Sequence, residues 1–128
     1  MCSGLWRRYG SLSTTMTRQR GVPPAILPGT LDLLILRTLV FGPAHGHGIG
    51  KHIRLTSRDV LLVEHGSLYP ALQRLERDGF IASAWELDRR GREMKFYRLT
   101  AAGRRQLLAE ESRWKKIVRA MARMLKPA

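Results

Sequence analysis

The sequence predicts a mainly α-helical fold that carries one small β-hairpin and ends in a long helix. An apolar stripe with helical spacing lies within residues 66–79, two alternating segments follow it directly, and an apolar seam runs towards the C-terminus. A chain of 128 residues has room for one small domain. We expect a tail over residues 1–25, a domain over 26–100 and an added helix over 101–126.

The composition favours a polyanionic partner. The chain has 23 Lys and Arg against 10 Asp and Glu, a formal net charge of +13. Such a surplus on a small chain indicates nucleic acid first and an anionic membrane second. The single Cys2 excludes an intramolecular disulfide and suits a reducing cytosol, so we expect a cytoplasmic protein. No apolar run approaches the ~18–20 residues of a membrane-spanning helix.

Residues 1–25 are predicted to form a flexible basic tail, because they contain Arg, Ser, Thr, Gly and Pro but no acidic residue and no periodicity. A basic arm that follows a DNA backbone is the alternative. Residues 1–15 lack the long apolar stretch of a secretory signal, and Met16 is a candidate natural start.

Two helices are predicted next. The first begins with Thr30 as its N-cap, carries Asp32 in its first turn, and ends at Gly42-Pro43. Its apolar face is so dense that we expect it in the core and against a partner chain. A short second helix is predicted around residues 49–55, after a glycine-rich segment. In a helix-turn-helix this helix crosses the phosphates of the DNA backbone. Its candidate phosphate contacts are Lys51 and Arg54. Residues 60–63 read as a short β-like run.

A third helix is predicted from Leu68, Leu72 and Leu75, whose spacing places them on one face that needs a core. Pro70 suits the start of a helix, and Gly79 ends it. The outer face fits a DNA major groove, where Arg bonds guanine and Gln bonds adenine, although an ordinary amphipathic surface helix is the alternative. The candidate groove contacts are Ser67, Tyr69, Gln73, Arg74 and Arg77.

A β-hairpin is predicted directly after this helix, with strands over residues 80–87 and 94–99 and a basic tip over 88–93. A helix followed by such a hairpin is the order of a winged helix-turn-helix domain. The tip is either a free surface loop or a contact to phosphates or a narrow minor groove. Its candidate contacts are Arg89, Arg90 and Arg92.

The last helix is predicted to begin with Thr100 as its cap and to run to about Leu125, ~37 Å at 1.5 Å per residue. Its apolar positions form a seam that a single small core cannot easily cover, so we expect a symmetric homodimer. Packing of the helix on its own domain is the alternative. The candidate interface residues are Leu107, Trp114, Ile117, Val118, Met121, Met124 and Leu125.

Four strings of the sequence carry a resemblance to a known family. They are Leu-Pro-Gly-Thr-Leu-Asp-Leu-Leu-Ile-Leu, His-Gly-His-Gly-Ile-Gly, Glu-His-Gly-Ser-Leu-Tyr-Pro-Ala-Leu-Gln-Arg-Leu-Glu-Arg-Asp-Gly and Lys-Phe-Tyr-Arg-Leu-Thr-Ala-Ala-Gly. With these strings the sequence resembles the PadR family of bacterial transcriptional regulators. The resemblance covers about residues 27–125 and is best to the short class, which has one long C-terminal helix. The chain departs from the family pattern at His47, commonly Tyr, and at His65, often acidic.

The resemblance implies sequence-specific DNA binding as a homodimer, with repression of a nearby gene. It implies DNA contact by the hairpin tip, and Tyr69 matches the recognition-helix Tyr of the family. It also implies a small aromatic ligand near the dimer interface, with Trp114 and the first helix as lining, although simple interface packing is the alternative reading of Trp114. An RNA-binding or ribosome-associated module is a rival function that only the charge favours, since the exposed aromatic platform expected for single-stranded RNA is missing. A protein-interaction dimer whose charge is incidental is a second rival.

Catalytic and metal chemistry are not predicted. The four histidines, His45, His47, His52 and His65, have no Cys or carboxylate at a recognised metal-ligand spacing, and turn or surface positions explain them. No phosphate-cradling loop follows a strand, and no nucleophile motif is present. We therefore expect a protein that is not an enzyme and has no metal or cofactor.

Overall fold

A computed structural model of the chain describes residues 29–127, which form four helices and a three-stranded antiparallel sheet of order β1-β3-β2. This architecture confirms the winged helix-turn-helix with an added C-terminal helix. Among the described residues, no helix is both long and apolar enough to span a membrane. The predicted tail lies outside the described residues. The elements are α1 (Thr30–Leu39), β1 (Ala44–His45), α2 (Gly46–Thr56), α3 (His65–Arg77), β2 (Ile81–Leu87), β3 (Glu93–Leu99) and α4 (Ala101–Met124).

The core forms around α1, which packs against each of the other helices and against β3. The apolar stripe predicted for α3 is buried in this core, with Leu68 and Leu72 at most 1% exposed. Burial of that stripe directs the opposite face of α3 to solvent. The largest fully buried side chains are Ile35, Leu36, Ile49, Leu68, Leu72 and Ile81.

The start of α1 differs from the prediction. Gly29, with a φ of 87°, is the N-cap, and Thr30 is already the first helical residue without a side-chain cap. The left-handed conformation is inexpensive only for glycine, so the cap falls on the residue that can adopt it. The first backbone hydrogen bond of the helix is the one that the Leu33 N–H donates to the Gly29 carbonyl, at 3.1 Å.

The segment around α2 also differs from the prediction. His45 pairs with Phe96 in the unpredicted strand β1, and its Nδ1 accepts from the Gly48 N–H at 3.0 Å. Because His45 caps the helix, α2 begins at Gly46, three residues before the predicted start. Residues 60–63 are a loop and not a strand, and they follow two residues with positive φ angles, Arg58 and Asp59.

Helix α3 begins earlier than the position of its proline suggests. Because the helix starts at His65, Pro70 lies inside it and not in its first turn. The missing N–H of Pro70 leaves the Gly66 carbonyl without its helical donor, and both residues are exposed, so water can replace the bond.

The predicted hairpin and last helix are confirmed to within a residue or two at their ends. Thr100 joins them: its hydroxyl donates to the Gly79 carbonyl at 2.7 Å and accepts from the Gly103 N–H at 3.0 Å. Gly103 lies directly against the Phe80 carbonyl, and a Cβ added at Gly103 would be 2.0 Å from that oxygen. The absence of a side chain at Gly103 therefore allows α4 to cross the base of the hairpin.

We predict opposite effects of alanine at two glycines. Gly103→Ala forces a methyl group into the Phe80 carbonyl and should destabilise the fold by at least ~1–3 kcal/mol. Gly66→Ala, in helix α3, adds a Cβ that meets nothing within 4 Å beyond the local helix backbone, so it should stabilise the fold by up to ~0.5–1 kcal/mol. Urea unfolding monitored by circular dichroism measures both free energies. Equal effects of the two substitutions would contradict the close crossing at Gly103.

Candidate nucleic-acid interface

The predicted groove contacts of α3 are all exposed to solvent. At 3.6 residues per turn, they cover the face opposite the buried leucines. Gln73 and Arg77 lie near the middle of that face, while Ser67 and Arg74 lie towards α1. The structure therefore brings the predicted side chains onto one exposed helix face.

Tyr69 lies at the edge of this face that meets α2. Its ring packs over Gly46, where an added Cβ would be 2.6 Å from the Tyr69 hydroxyl oxygen. The His65 ring meets it edge-on, with the centroids 5.6 Å apart. Tyr69 remains 41% exposed, so it links the two helices and still presents part of its surface to solvent. The contact explains the glycine at position 46.

Arg74 forms an ion pair with a residue of α1. Its guanidinium is 2.5 Å from the Asp32 carboxylate, and its side chain is 45% exposed. Asp32, predicted only as a residue that suits the helix dipole, thus also holds α3 against α1. A guanidinium has five N–H donors, so Arg74 retains donors for a further partner.

Helix α2 contributes a basic rim beside the start of α3. Lys51 and Arg54 are exposed and, together with His47 and His65, line a shallow cleft of about 350 Å³ between the helices. Arg54 also bonds Asp59 at 3.0 Å. The two histidines were not among the residues predicted for an interface. Each lies in the first turn of a helix, which is the signal that could have located them.

The hairpin tip is an ordered turn organised by Asp88. The Asp88 carboxylate accepts from the Arg90 and Arg92 backbone N–H groups at 2.9 and 2.8 Å and from the Arg92 Nε at 3.0 Å. The backbone bond from Arg92 is the main cause that holds the pKa of Asp88 below its ordinary value. Burial acts against it, and the Arg90 backbone bond and the Arg92 side-chain bond add to the lowering. The Arg92 side chain therefore bonds within the tip, whereas Arg89 and Arg90 are exposed to solvent.

A small polar cluster fixes the hairpin to α3. The Ser83 hydroxyl donates to the Glu76 carboxylate at 2.5 Å, and the Lys95 ammonium is 3.5 Å from the same carboxylate. The Lys95 ammonium also lies 5.6 Å from the centre of the Tyr97 ring. Because Ser83 and Lys95 belong to the two strands of the hairpin, this cluster sets the direction of the hairpin relative to α3.

A comparison with family models decides the family. Residues 35–109 match the model described as the Transcriptional regulator PadR-like family. The chain belongs to this family. It is accordingly a DNA-binding transcriptional regulator and not an enzyme, as expected from its sequence.

Solved structures support the assignment to the PadR-like family. A PadR family regulator from Eggerthella lenta is 31% identical, with a TM-score of 0.65 over 78% of this chain and 85% of that one. A PadR family regulator from Clostridium difficile is 28% identical, with a TM-score of 0.67 over 77% of this chain and 100% of that one. A transcriptional regulator from Clostridium thermocellum is 26% identical, with a TM-score of 0.68 over 74% of this chain and 92% of that one.

The long helix α4 of this PadR-like protein divides its predicted interface residues into two groups. Leu107 is 5% exposed and belongs to the core of its own domain, so little of its surface is left for a partner to cover. Its position opposite α1 near the start of α4 explains the burial. Trp114 is half-buried and packs on that core. The remaining five are exposed: Ile117, Val118, Met121, Met124 and Leu125.

We predict that the tip of the hairpin loses its order only in acid. Since the pKa of Asp88 is lowered on folding, its bonds stabilise the tip above the unfolded pKa of ~3.9 and are lost as the pH falls through the lower, folded pKa. An NMR titration of the Arg90 and Arg92 amides should show a midpoint below 3.8, the ordinary value for Asp88. Asp88→Asn should abolish this titration. A midpoint at or above 3.8 would contradict the bonding described for the tip.

Proposed function

We propose that this chain is a homodimeric, sequence-specific repressor that acts on DNA in the cytoplasm. One observation carries the proposal: the exposed face of α3 lies between two basic regions. Lys51 and Arg54 of α2 flank the start of α3, and the hairpin with its Arg-rich tip is attached near its end through Glu76. A duplex whose major groove holds α3 would meet phosphates on both sides of the groove.

The side chains of α3 suit different tasks in this proposal. Gln73 and Arg77, in the middle of the exposed face, are the proposed readers of base edges. Ser67 and Tyr69 have hydroxyl groups that can bond a phosphate or a base. Arg74 is shared, because it holds α3 to α1 through Asp32 and retains donors for the DNA. Arg89 and Arg90 are the proposed backbone or minor-groove contacts, with Arg92 mainly shaping the tip.

The homodimer is proposed from the exposed apolar face of α4. Ile117, Met121 and Met124 follow the 3–4 spacing of a helix–helix seam, and they are 44%, 54% and 81% exposed. Val118 and Leu125 widen the same stripe. A second copy of α4, related by a two-fold axis, would bury this stripe and place two recognition helices on one duplex.

We further propose that a small aromatic molecule relieves DNA binding from a site beside Trp114. A cavity of about 150 Å³ lies between α1 and α4 and has Leu33, Trp114 and Ile117 in its lining. Ile117 also belongs to the exposed α4 stripe, so a partner copy would help to close the cavity. A ligand there would contact both the domain and the dimer helix. It could therefore change the spacing of the two recognition helices.

A competition assay tests the class of partner. Labelled duplex DNA from the region upstream of the gene is bound, and unlabelled random duplex, tRNA and heparin are added as competitors. We expect the upstream duplex to compete best. Equal competition by tRNA would favour the RNA-binding alternative, and a failure to bind any nucleic acid would favour a protein-interaction dimer.

We predict that α3 and the hairpin tip affect DNA binding differently. Gln73→Ala should cost ~1–3 kcal/mol on the cognate duplex and much less on random duplex, because it removes a base contact. Arg89→Ala and Arg90→Ala should weaken binding to both and reduce the salt slope by about one per lost phosphate contact. Fluorescence anisotropy of labelled DNA at several salt concentrations measures these changes.

The matched control for these variants is Arg119→Ala, which removes an exposed arginine on α4 away from the proposed DNA surface. It should change the affinity little on either duplex. Equal losses on cognate and random DNA for Gln73→Ala, with the fold and the dimer intact, would rule out Gln73 as a base reader.

We predict that a charge in the α4 stripe dissociates the dimer. Ile117→Glu and Met121→Glu each bury a carboxylate without a partner at a cost of several kcal/mol, so sedimentation should show a monomer. Arg119→Glu, on the same helix but off the stripe, should remain dimeric. Both stripe variants sedimenting as folded dimers would show that the interface lies elsewhere.

A further inference from the structure

The hairpin carries two large apolar side chains that neither the core nor the α4 stripe uses. Trp85 is 64% exposed and Leu87 is 69% exposed. They are two residues apart on β2 and therefore lie on the same face of the hairpin. A pair of large apolar side chains exposed on one face of a small domain is a candidate contact surface for a partner.

This face is the one that α3 packs against. Ile81 and Ser83 share it, and Ile81 is buried while Ser83 bonds Glu76 of α3. The cross-strand partner of Trp85 is Lys95, whose ammonium also reaches Glu76. Trp85 consequently lies along β2 between the residues that contact α3 and the basic tip.

The charges around the two residues favour different partners. Trp85 lies opposite the cationic Lys95, whereas Leu87 lies opposite Glu93. Glu93 repels a phosphate from the second position, whereas the Lys95 ammonium, which is 3.5 Å from Glu76, retains N–H donors for a phosphate at the first. An indole combines an apolar ring with one N–H donor, and a nucleic-acid backbone combines an apolar sugar with a phosphate acceptor.

We propose that Trp85 packs against a deoxyribose of the bound duplex and donates its indole N–H to the adjoining phosphate. The inference rests on the proposed function, because a duplex that contacts both α3 and the tip passes over Trp85. The contact involves only the backbone, so it raises affinity for every DNA sequence equally. Trp85 thus extends the DNA surface from the recognition helix along the hairpin, towards the tip.

The test uses three variants of the full chain and two duplexes, cognate and random. Trp85→Phe retains a ring but lacks the N–H, and should weaken binding to both duplexes by ~3- to 10-fold. Trp85→Ala lacks both and should weaken binding by ~10- to 100-fold, again on both duplexes. Leu87→Ala, on the same face but opposite Glu93, is the matched control and should bind as the unaltered protein does.

A fluorescence measurement adds a direct readout of the contact. Bound duplex should protect the tryptophan emission of the unaltered protein from acrylamide, and Trp85→Phe should lose most of that protection. Unchanged affinity of Trp85→Ala for both duplexes, with no protection in the unaltered protein, would overturn the inference and leave the proposed function standing. A failure of the unaltered protein to bind duplex DNA would overturn both.

Two further outcomes would assign the face to another partner and overturn the inference. An equal loss of affinity in Leu87→Ala would mean that an apolar surface, and not a phosphate contact, is required. Sedimentation of Trp85→Ala as a monomer would mean that a second copy of the chain covers this face. Thermal unfolding confirms that the variants are folded, which the exposure of Trp85 leads us to expect.

Discussion

Burial of the leucine stripe of α3 against α1 is the interaction on which the rest of the structure depends. Leu68 and Leu72 are completely enclosed, and truncation of such a side chain typically costs ~2–5 kcal/mol. Because the stripe can face only the core, Gln73 and Arg77 must face solvent. The hydrophobic effect thereby orients the polar residues of α3 without any direct contact to them.

Polar contacts around α3 fix the orientation of the helix and contribute little to the free energy of folding. The Arg74–Asp32 pair ties the helix to α1, and the Glu76 cluster ties it to Ser83 and Lys95 of the hairpin. Partly exposed ion pairs of this kind are worth only ~0–1 kcal/mol each. Their value lies in geometry, since they hold α3 and the hairpin at a constant angle to one another.

Two of the apolar surfaces outside the core belong to the proposed contacts. The exposed apolar residues of α4 form a continuous stripe with regular spacing, which suits a second copy of the same helix. Trp85 lies opposite Lys95 on a strand, apart from that stripe, and suits a backbone of sugars and phosphates. The excess of positive charge favours the proposed contact of Trp85 with DNA directly. The proposed contact between two α4 helices depends instead on the absence of charge within the stripe.

Periodicity in the sequence determined the four helices, the hairpin and the exposed face of α3, because a buried face repeats at the spacing of its element. The sequence also determined the helix cap at Thr100, because the residue that it bonds, Gly103, lies within one turn. The tertiary structure alone decided strand β1, the contact of Tyr69 with Gly46, the pairing of Arg74 with Asp32 and the burial of Leu107. Each of these depends on a neighbour distant in the chain. A periodic pattern shows which face of an element is buried, but the residue that covers it is fixed only when the elements pack.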